Sequence, residues 1–352
     1  MQQEKIVRVA IVGQGRSGRN IHANTLRSWT DRFHIVAVVD GEEERRSRAV
    51  RELGCEAFSS VEALFQRRDI DLVVNAAPSH LHAPISLDLL NHGFHVLCEK
   101  PLASSTEQVD ALIAAAERSG KVLSVFQQSR YSPSFLKVRE VIDSGVLGRI
   151  IKINIVFSGF GRRADWQAFK KFNGGELMNT GPHPMDQALQ LLGTDQMPEV
   201  ICEMDLANAF GDAEDYVHVL LKAKQRPAVD VEISSCNAYP AYNYHVQGTN
   251  GGLMGTFQQL KWKYFKPEEA PVREASEAVP PLRVEGEAPP PREQLHWYEE
   301  SSEPTGSPAK TFYTMLYHTL VHGRPLEVTP AQVRQQIAVM KRCFEQNPRF
   351  DR

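Results

Sequence analysis

The sequence predicts an α/β protein with an N-terminal Rossmann domain and a C-terminal α/β domain built on a large, mostly antiparallel open sheet. Over the first 125 residues, short apolar runs alternate with amphipathic stretches. After about residue 150, strand patterns follow one another without helices between them. A chain of 352 residues also exceeds the size at which a single hydrophobic core usually stops growing. We therefore expect domains at residues 1–125 and 126–352.

In the first domain, five short apolar runs predict buried strands: Val7–Val12, 35–39, Leu72–Asn75, His95–Cys98 and 122–126. Helical patterns lie between them, for example at 61–66 and 105–119. Strands that alternate with helices predict a parallel sheet with right-handed crossovers.

In the second domain, strands are predicted at 150–157, 215–222, 228–235 and Tyr244–Gly248. The run at 249–252 predicts a hairpin turn, because Asn-Gly tolerates positive φ. Residues 265–310 are rich in Pro, Glu and Ser, most densely at 288–291. They predict a long irregular surface loop with a short ordered piece at 295–298. Two helices, Pro308–His322 and 330–344, are expected to close the chain.

The composition favours a soluble globular protein and disfavours several other classes. Hydrophobic residues make up 42%, charged residues 24%, and the net charge is -3, with no basic stripe for nucleic acid. No apolar run approaches the roughly 18 residues of a membrane span. Five scattered cysteines without CxxC spacing predict neither disulfides nor a metal site. With no apolar leader before the first strand, the expected compartment is the cytoplasm.

A glycine motif directly after the first strand predicts a dinucleotide site. Residues 13–18 have the pattern G-x-G-x-x-G, which allows a tight turn and close approach of a pyrophosphate to a helix N-terminus. Asp40 ends the second strand, 22 residues after Gly18, where an acidic residue binds ribose hydroxyls. Its charge favours NAD over NADP, although Arg16, Arg45 and Arg46 could offset the repulsion of a 2′-phosphate. The first domain is thus predicted to bind NAD, with NADP as the alternative.

The third strand continues into small residues and two histidines. Ala77 and Pro78 would let the loop lie against the dinucleotide, and His80 and His82 are either pocket residues or solvated loop histidines. The predicted cofactor-binding residues are Gly13, Gln14, Gly15, Arg16, Ser17, Gly18, Asp40, Ala77, Pro78, His82, Glu99 and Lys100.

Two further segments complete a family resemblance. Glu99-Lys100-Pro101 follows the fourth strand, and Gly174-Gly175-Glu176-Leu177-Met178-Asn179-Thr180-Gly181-Pro182-His183-Pro184-Met185-Asp186 follows later. The order and spacing of these two segments and the glycine motif resemble those of the GFO/IDH/MocA family, the glucose-fructose oxidoreductase and inositol dehydrogenase type. The resemblance implies a Rossmann domain followed by an α/β domain with a large open sheet. It also implies hydride transfer between nicotinamide and a hydroxyl-bearing carbon, with Lys100 and His183 beside that carbon.

These residue types suit the implied chemistry. The imidazole of His183 can transfer a proton near neutral pH, and the charge of Lys100 can stabilise a developing alkoxide. If a helix begins near His183, Asp186 lies on the same face and could orient the imidazole. Many polyol dehydrogenases of the family have aspartate where this chain has Asn179. Asparagine can hold a hydroxyl but cannot accept a proton, so His183 is expected to be the acid/base.

The predicted catalytic residues are Lys100, His183, Asn179 and Asp186. The predicted substrate residues are Lys100, Gln128, Arg130, Trp166, Asn179 and His183. Softer candidates are Gln127, Arg162, Asp165, Tyr239, Tyr242 and Tyr244, and the tyrosines could equally be sheet packing.

The predicted function is therefore an NAD(P)-dependent dehydrogenase or reductase that acts on CH-OH groups of a sugar, inositol or related polyol. Three alternatives stay open. The substrate could instead be a dihydrodiol or a nucleotide sugar. The cofactor could remain bound and be oxidised only transiently, in a glycoside-cleaving or aldose-swapping reaction. The protein could also be a non-catalytic NAD(H)-binding regulator, which would need neither Lys100 nor His183. The second domain is expected to bind a small-molecule substrate and to form a homodimer or homotetramer through its open sheet.

Overall fold

The computed structural model describes residues 5–193, 196–273, 275 and 293–351. The proline-rich run at 288–291 and the first four residues therefore lie outside the described residues. Within the described residues, the strands form two sheets and the helices pack around them, as the sequence predicts.

The first sheet has six parallel strands in the order β3-β2-β1-β4-β5-β6, which is the strand order of dinucleotide-binding folds. Its strands are β1 (Val7–Val12), β2 (Phe33–Val39), β3 (Glu56–Phe58), β4 (Leu72–Asn75), β5 (His95–Cys98) and β6 (Leu123–Val125). The five predicted strands are confirmed. The sequence missed β3, because three residues with one aromatic carry little periodic pattern.

Helices cover this parallel sheet, so its central strands are buried almost throughout. A π-helix at Arg16–Ala23 continues into α1 (Asn24–Leu26), and α2 (Glu43–Leu53), α3 (His82–Asn91), α4 (Thr106–Ser119) and α5 (Pro133–Asp143) follow. The helix predicted at 105–119 is confirmed, with Ser105 as the N-cap. At 61–66 the chain forms only a 3-10 helix, Val61–Leu64.

The second sheet has eight strands in the order β14-β13-β12-β11-β7-β10-β9-β8. They are β7 (Ile150–Ser158), β8 (Glu199–Asp205), β9 (Tyr216–Lys222), β10 (Ala228–Ser234), β11 (Tyr244–Gly248), β12 (Gly251–Gly255), β13 (Leu260–Tyr264) and β14 (Tyr298–Ser302). All pairings are antiparallel except that of β7 with β10. The predicted large, mostly antiparallel sheet and the turn between β11 and β12 are confirmed.

Two predictions for the second domain need correction. Helices α6 (Glu176–Asn179) and α7 (Pro182–Leu192) lie between β7 and β9, so these strands do not simply follow one another. The predicted loop at 265–310 contains β14, which pairs with β13. Glu and Ser make β14 look like a loop in sequence, but as an edge strand it leaves those side chains in solvent.

Two C-terminal helices, α8 (Pro308–His322) and α9 (Pro330–Gln346), return to the first sheet. The first predicted helix is confirmed, and the second runs two residues beyond 344. Tyr313 of α8 packs edge-on against Phe33 of β2, with ring centroids 5.5 Å apart. Tyr317 donates a hydrogen bond to the carbonyl of Lys5 at 2.9 Å. The domain boundary after residue 125 stays a prediction.

No helix in the described ranges has the length and apolar character needed to cross a membrane.

Candidate active site

The glycine motif leaves room where a ligand would approach. Gly13 has φ +87°, and a Cβ there would lie 2.4 Å from the carbonyl oxygen of Ala76. A Cβ on Gly18 would lie 1.8 Å from the carbonyl oxygen of Gly13, so this position needs glycine for close packing. A Cβ on Gly15 would meet no heavy atom within 4 Å. The backbone at Gly15 therefore faces open space, as a pyrophosphate site requires.

Asp40 is fixed beside this loop. Its carboxylate accepts hydrogen bonds from the backbone N–H of Gln14 at 2.7 Å and of Glu42 at 2.9 Å. Arg45 lies 3.7 Å from the carboxylate and 3.0 Å from Glu42, and Arg46 donates to the carbonyls of Asp40 and Gly41. Arg45 thus offsets part of the Asp40 charge, and the preference for ribose hydroxyls over a 2′-phosphate stays a prediction.

A cavity of about 710 Å³ joins the glycine loop to the second domain. Twelve of the predicted site residues line it: Gly13, Gly15, Arg16, Ser17, Asp40, Ala77, Pro78, His82, Glu99, Lys100, Trp166 and Asn179. Predicted residues outside this lining are Gln14, Gly18, Gln128, Arg130, His183 and Asp186. The cavity is within the size range of small-molecule and cofactor sites.

His82 joins two segments of the cavity wall. Its Nδ1 lies 2.7 Å from the carbonyl oxygen of Pro101 and its Nε2 lies 2.8 Å from that of Ala77. The ring is buried, and burial lowers its pKa. A neutral imidazole has a single N–H, so His82 donates to one of these two carbonyl oxygens and packs between the loop after β4 and the segment after β5, in addition to lining the cavity.

Lys100 crosses the cavity from the first domain to the second. Its Nζ donates to the backbone carbonyl oxygen of Asn179 at 2.6 Å. Burial lowers the pKa of Lys100, the charge of Glu99 opposes that effect, and the charge of Arg16 adds to it. The peptide bond from Lys100 to Pro101 is cis. The Lys100 amine thus lies between the segment after β5 and helix α6.

Behind Lys100 runs a buried chain of polar side chains. Glu99 accepts from the backbone N–H of Lys100 at 3.1 Å and lies 3.2 Å from His22 Nε2, and His22 Nδ1 lies 2.7 Å from the hydroxyl of Tyr313 on α8. Burial by itself raises the pKa of Glu99. The hydrogen bond and charge of His22 outweigh burial, and the pKa falls to about 2. The chain therefore fixes an ionised carboxylate next to Lys100.

His183 has a different partner from the one predicted. Its Nδ1 lies 3.1 Å from the hydroxyl of Ser129. Burial first, and the charge of Lys100 second, lower its pKa to about 3. The imidazole is therefore neutral over a wide pH range, and it lies close enough to Lys100 for the lysine charge to lower its pKa.

Asp186 does not orient His183, and Arg130 is not available to a substrate; both predictions are corrected. Asp186 Oδ2 accepts from Arg130 Nε at 3.0 Å and Oδ1 accepts from Nη2 at 2.5 Å. The remaining nitrogen of Arg130 donates to the carbonyl of Glu327 at 2.7 Å and to Gln332 Oε1 at 2.8 Å. Both charged groups are about 5% exposed. A buried carboxylate needs a paired cation, and here that cation is Arg130.

Asn179 and Trp166 lie at the mouth of the large cavity. The side-chain oxygen of Asn179 accepts from Gln167 Nε2 at 2.9 Å, which leaves its amide N–H groups as donors. The Trp166 ring is 40% exposed and packs edge-on against Phe172, 6.4 Å away. Phe172 in turn contacts His80 at 5.4 Å, so an aromatic row spans the two domains here.

The remaining candidates divide between solvent, cavity wall and core. Gln127 donates to Gln336 at 2.7 Å, and Gln128 has a buried Oε1 without a hydrogen-bond partner among the described residues. Tyr244 is buried and donates to Gln187, whereas Tyr239 is 92% exposed. Asp165 lines the large cavity, Arg162 lies over the Phe210 ring, and Tyr242 packs against His245.

Several residues that line the cavity have no signal in the sequence motifs. Ser59 and Ser60 line the large cavity directly after β3, so finding that short strand would have placed them at the carboxyl edge of the sheet. Gln167, which holds Asn179, has no local motif around it. Glu176 lies inside the recognised segment at 174–186, but nothing in its spacing marks it as a site residue.

A Rossmann sheet, a glycine loop with a strand-end carboxylate and a lysine facing the same cavity define an NAD-binding protein of the oxidoreductase class. Comparison with family models places the chain further. Residues 7–127 match the model described as the oxidoreductase family with an NAD-binding Rossmann fold, and residues 135–254 match the GFO/IDH/MocA C-terminal domain. The chain belongs to the GFO/IDH/MocA family.

Curated relatives and solved structures agree with this membership. The chain is 30% identical to inositol 2-dehydrogenase 2 of Saccharopolyspora erythraea, over 70% of this chain and 71% of that protein. It is 26% identical to 2,7-anhydro-N-acetylneuraminate hydratase of Mediterraneibacter gnavus, over 71% and 67%. It shares its fold with the WlbA dehydrogenase of Bordetella pertussis in complex with NADH and UDP-GlcNAcA. That match has a TM-score of 0.76 and 20% identity, and it covers 98% and 97% of the two chains.

Proposed function

We propose that this protein is an NAD-dependent dehydrogenase or reductase acting on a CH-OH group of a sugar, inositol or related polyol. The observation that carries the proposal is the position of Lys100. Its amine lines the same cavity as Gly15 and Asp40 and hydrogen-bonds to Asn179 of the second domain. A protein that only bound NAD would have no need of a half-buried amine at that junction.

Bound NAD would supply the hydride acceptor, or in the reduced form the donor. The glycine loop and Asp40 would hold it, since the space facing Gly15 fits a dinucleotide. Lys100 stabilises the negative charge that develops on the substrate oxygen. His183, neutral because burial lowers its pKa, accepts the hydroxyl proton, and Ser129 orients its ring.

The names of two relatives support this substrate class. One is an inositol dehydrogenase, and the structural relative holds NADH together with a nucleotide sugar. A second candidate function is a redox-neutral reaction in which the cofactor stays bound. The relative named a hydratase favours that candidate, because adding water to a substrate causes no net oxidation.

We propose that the second domain binds the substrate and that its large sheet forms a homodimer or homotetramer. Alternate residues of β10 are buried on one face, while Asp230 and Glu232 point to the other and stay partly exposed. Such a half-covered sheet suits association with a second copy. The scattered cysteines and the NAD chemistry favour the cytoplasm.

The test is a panel of hexoses, inositols and sugar acids with NAD and NADP in parallel, followed by absorbance of the reduced cofactor and by product analysis. The variants are Lys100→Ala and, as a control, Lys341→Ala at an exposed position of α9. We expect cofactor reduction by the wild type and the control but not by Lys100→Ala. Product formation without net reduction would support the redox-neutral candidate. NAD binding without any product would favour the non-catalytic alternative.

A further inference from the structure

A buried chain of side chains joins helix α8 to Lys100, and the proposed reaction gives it no role. The Tyr313 hydroxyl lies 2.7 Å from His22 Nδ1, and His22 Nε2 lies 3.2 Å from Glu99 Oε1. The other carboxylate oxygen of Glu99 accepts from the backbone N–H of Lys100 at 3.1 Å. The π-helix, the segment after β5 and α8 are far apart in sequence and therefore meet directly behind Lys100.

This chain is closed to solvent. His22 and Tyr313 are 0% exposed and Glu99 is 5% exposed. The ring of Phe126 packs against the chain, with its centroid 4.5 Å from that of His22 and 5.9 Å from that of Tyr313. Because the local dielectric constant is low in such an apolar enclosure, each hydrogen bond and each charge acts more strongly than it would on the surface.

The ionised state of Glu99 determines where His22 carries its proton. The pKa of Glu99 is about 2, so its carboxylate is charged at neutral pH and can only accept hydrogen bonds. Nε2 of His22 must therefore carry the proton that faces Oε1. The Tyr313 hydroxyl contacts the opposite ring nitrogen. His22 is thus a donor to Glu99 whose orientation is set from α8.

Glu99 in turn acts on the charge of Lys100. Burial lowers the pKa of Lys100 and favours the neutral amine, whereas the negative charge of Glu99 has the opposite effect. Only the protonated amine can stabilise an alkoxide. The carboxylate of Glu99 therefore helps to keep Lys100 in the form that the proposed reaction needs.

Other charged or titratable groups also face this pair. Around Lys100 they are Arg16 of the π-helix, Arg163 of the loop after β7, Glu176 of α6, His82 at the start of α3 and His183 of α7. His82 faces Glu99 as well. The two arginines favour the neutral amine, as burial does, so Lys100 depends on its neighbouring carboxylates for its charge.

We propose that His22 and Tyr313 are positioning residues for the reaction: they hold the Glu99 carboxylate beside Lys100 and so keep the lysine protonated at neutral pH. The proposal rests on the proposed function, in which the lysine cation stabilises the substrate oxygen. It adds α8 to the active site. Without the His22 donor, burial would raise the pKa of Glu99, and Lys100 would lose its proton at lower pH.

The test measures the titration of Lys100 directly. Competitive labelling of the full chain with acetic anhydride across a pH series, with and without NADH, is read by peptide mass spectrometry. Lys341, exposed on α9, is the internal reference. The same variants are followed by the pH profile of kcat/KM, in which deprotonation of Lys100 gives the alkaline limb.

Two amide substitutions of His22 form a matched pair. The amide nitrogen of glutamine reaches about as far as Nε2, and that of asparagine about as far as Nδ1. His22→Gln should therefore keep the wild-type titration of Lys100. His22→Asn and Glu99→Gln should move that titration and the alkaline limb about one pH unit or more lower, the scale for losing a nearby opposite charge.

Tyr313→Phe tests the part played by α8. It should move the titration of Lys100 less than His22→Asn does, because the Nε2 donor remains. Tyr317→Phe is the control, since Tyr317 is a buried tyrosine of the same helix that donates to the Lys5 carbonyl. Tyr317→Phe should leave the titration of Lys100 unchanged.

Three results would overturn the proposal: an unchanged Lys100 titration in His22→Asn, an unchanged titration in Glu99→Gln, or equal shifts in Tyr313→Phe and Tyr317→Phe. If His22→Asn does not fold, Tyr313→Phe takes its place. A Lys100 titration in that variant equal to the one in Tyr317→Phe would then contradict the proposal.

The labelling separates this proposal from the proposed function. Shifts of the expected kind in a protein that turns over none of the sugars, inositols or sugar acids would sink the reaction and keep the role of His22. Turnover with an alkaline limb that His22→Asn does not move would keep the reaction and sink that role.

Discussion

The two walls of the large cavity are built in different ways. On the cofactor wall, Gly13, Gly15 and Asp40 lie at the ends of adjacent strands and act through backbone conformation and one fixed carboxylate. On the reaction wall, Lys100 bonds to the backbone carbonyl of Asn179, which comes from a distant segment. His183 lies near Lys100 but outside the cavity lining, and it is held by Ser129. The first wall follows from local sequence, whereas the second depends on which buried groups pair.

The largest expected effect is on stability, at the ion pair behind the reaction wall. Arg130→Ala should lower the free energy of unfolding by about 3–5 kcal/mol, because it leaves the buried carboxylate of Asp186 without its cation. Urea denaturation measures this loss. Arg334→Ala is the matched control, since its pair with Asp110 is exposed and screened by solvent. Equal losses in the two variants would mean that burial of the pair does not matter.

The next effect concerns the proton at His183. His183→Ala should slow alcohol oxidation about a hundredfold or more, the scale for losing a general base. The imidazole must be neutral to accept a proton. Burial and the charge of Lys100 lower the pKa of His183 to about 3. The acid limb of the pH–rate profile should therefore lie well below pH 6. The sequence alone suggested a limb in the usual histidine range.

The pH profile of kcat/KM tests this placement. Asn179→Asp would add a negative charge near His183, raise its pKa and move the acid limb to higher pH. The limb should be absent in His183→Ala. A wild-type limb near pH 6.5, or one that Asn179→Asp does not move, would contradict the role given to His183.

A smaller effect is expected at the far end of the chain behind Lys100. Tyr313→Phe removes the hydroxyl that contacts His22 at 2.7 Å, and a buried polar atom left without its partner costs about 1–3 kcal/mol. Thermal or urea unfolding measures the loss. Tyr298→Phe, which removes a hydroxyl from the sheet edge beside Glu269, is the control and should change stability less. A Tyr313→Phe variant as stable as the wild type would show that the buried chain of Tyr313, His22 and Glu99 contributes little to the stability of the fold.

The contrast between the walls explains what the sequence predicted. The glycine motif and Asp40 could be placed because their roles depend on neighbours along the chain and on one adjacent strand. Ser59 and Ser60 on the same wall were missed only because β3 has three residues and little pattern.

The reaction wall was predicted by residue type but not by partner. The three-residue spacing placed His183 and Asp186 on one helical face, as the structure has them, yet it carried no information about Arg130, 56 residues away along the chain. A guanidinium binds a carboxylate through two hydrogen bonds, so it holds Asp186 and leaves His183 to Ser129. Likewise, no local pattern could connect Tyr313 of α8 with Glu99.

The most direct test of the two-wall account is the Kd of NADH and of NADPH, measured by fluorescence titration for wild type, Asp40→Ala and Lys100→Ala, beside kcat for each. The account predicts that wild type prefers NADH and that Asp40→Ala weakens NADH more than NADPH. Lys100→Ala should keep the wild-type Kd within about threefold, while kcat falls about a hundredfold or more, the scale of one lost preorganised charge. Equal wild-type affinity for the two cofactors, or near-normal turnover by Lys100→Ala, would contradict it.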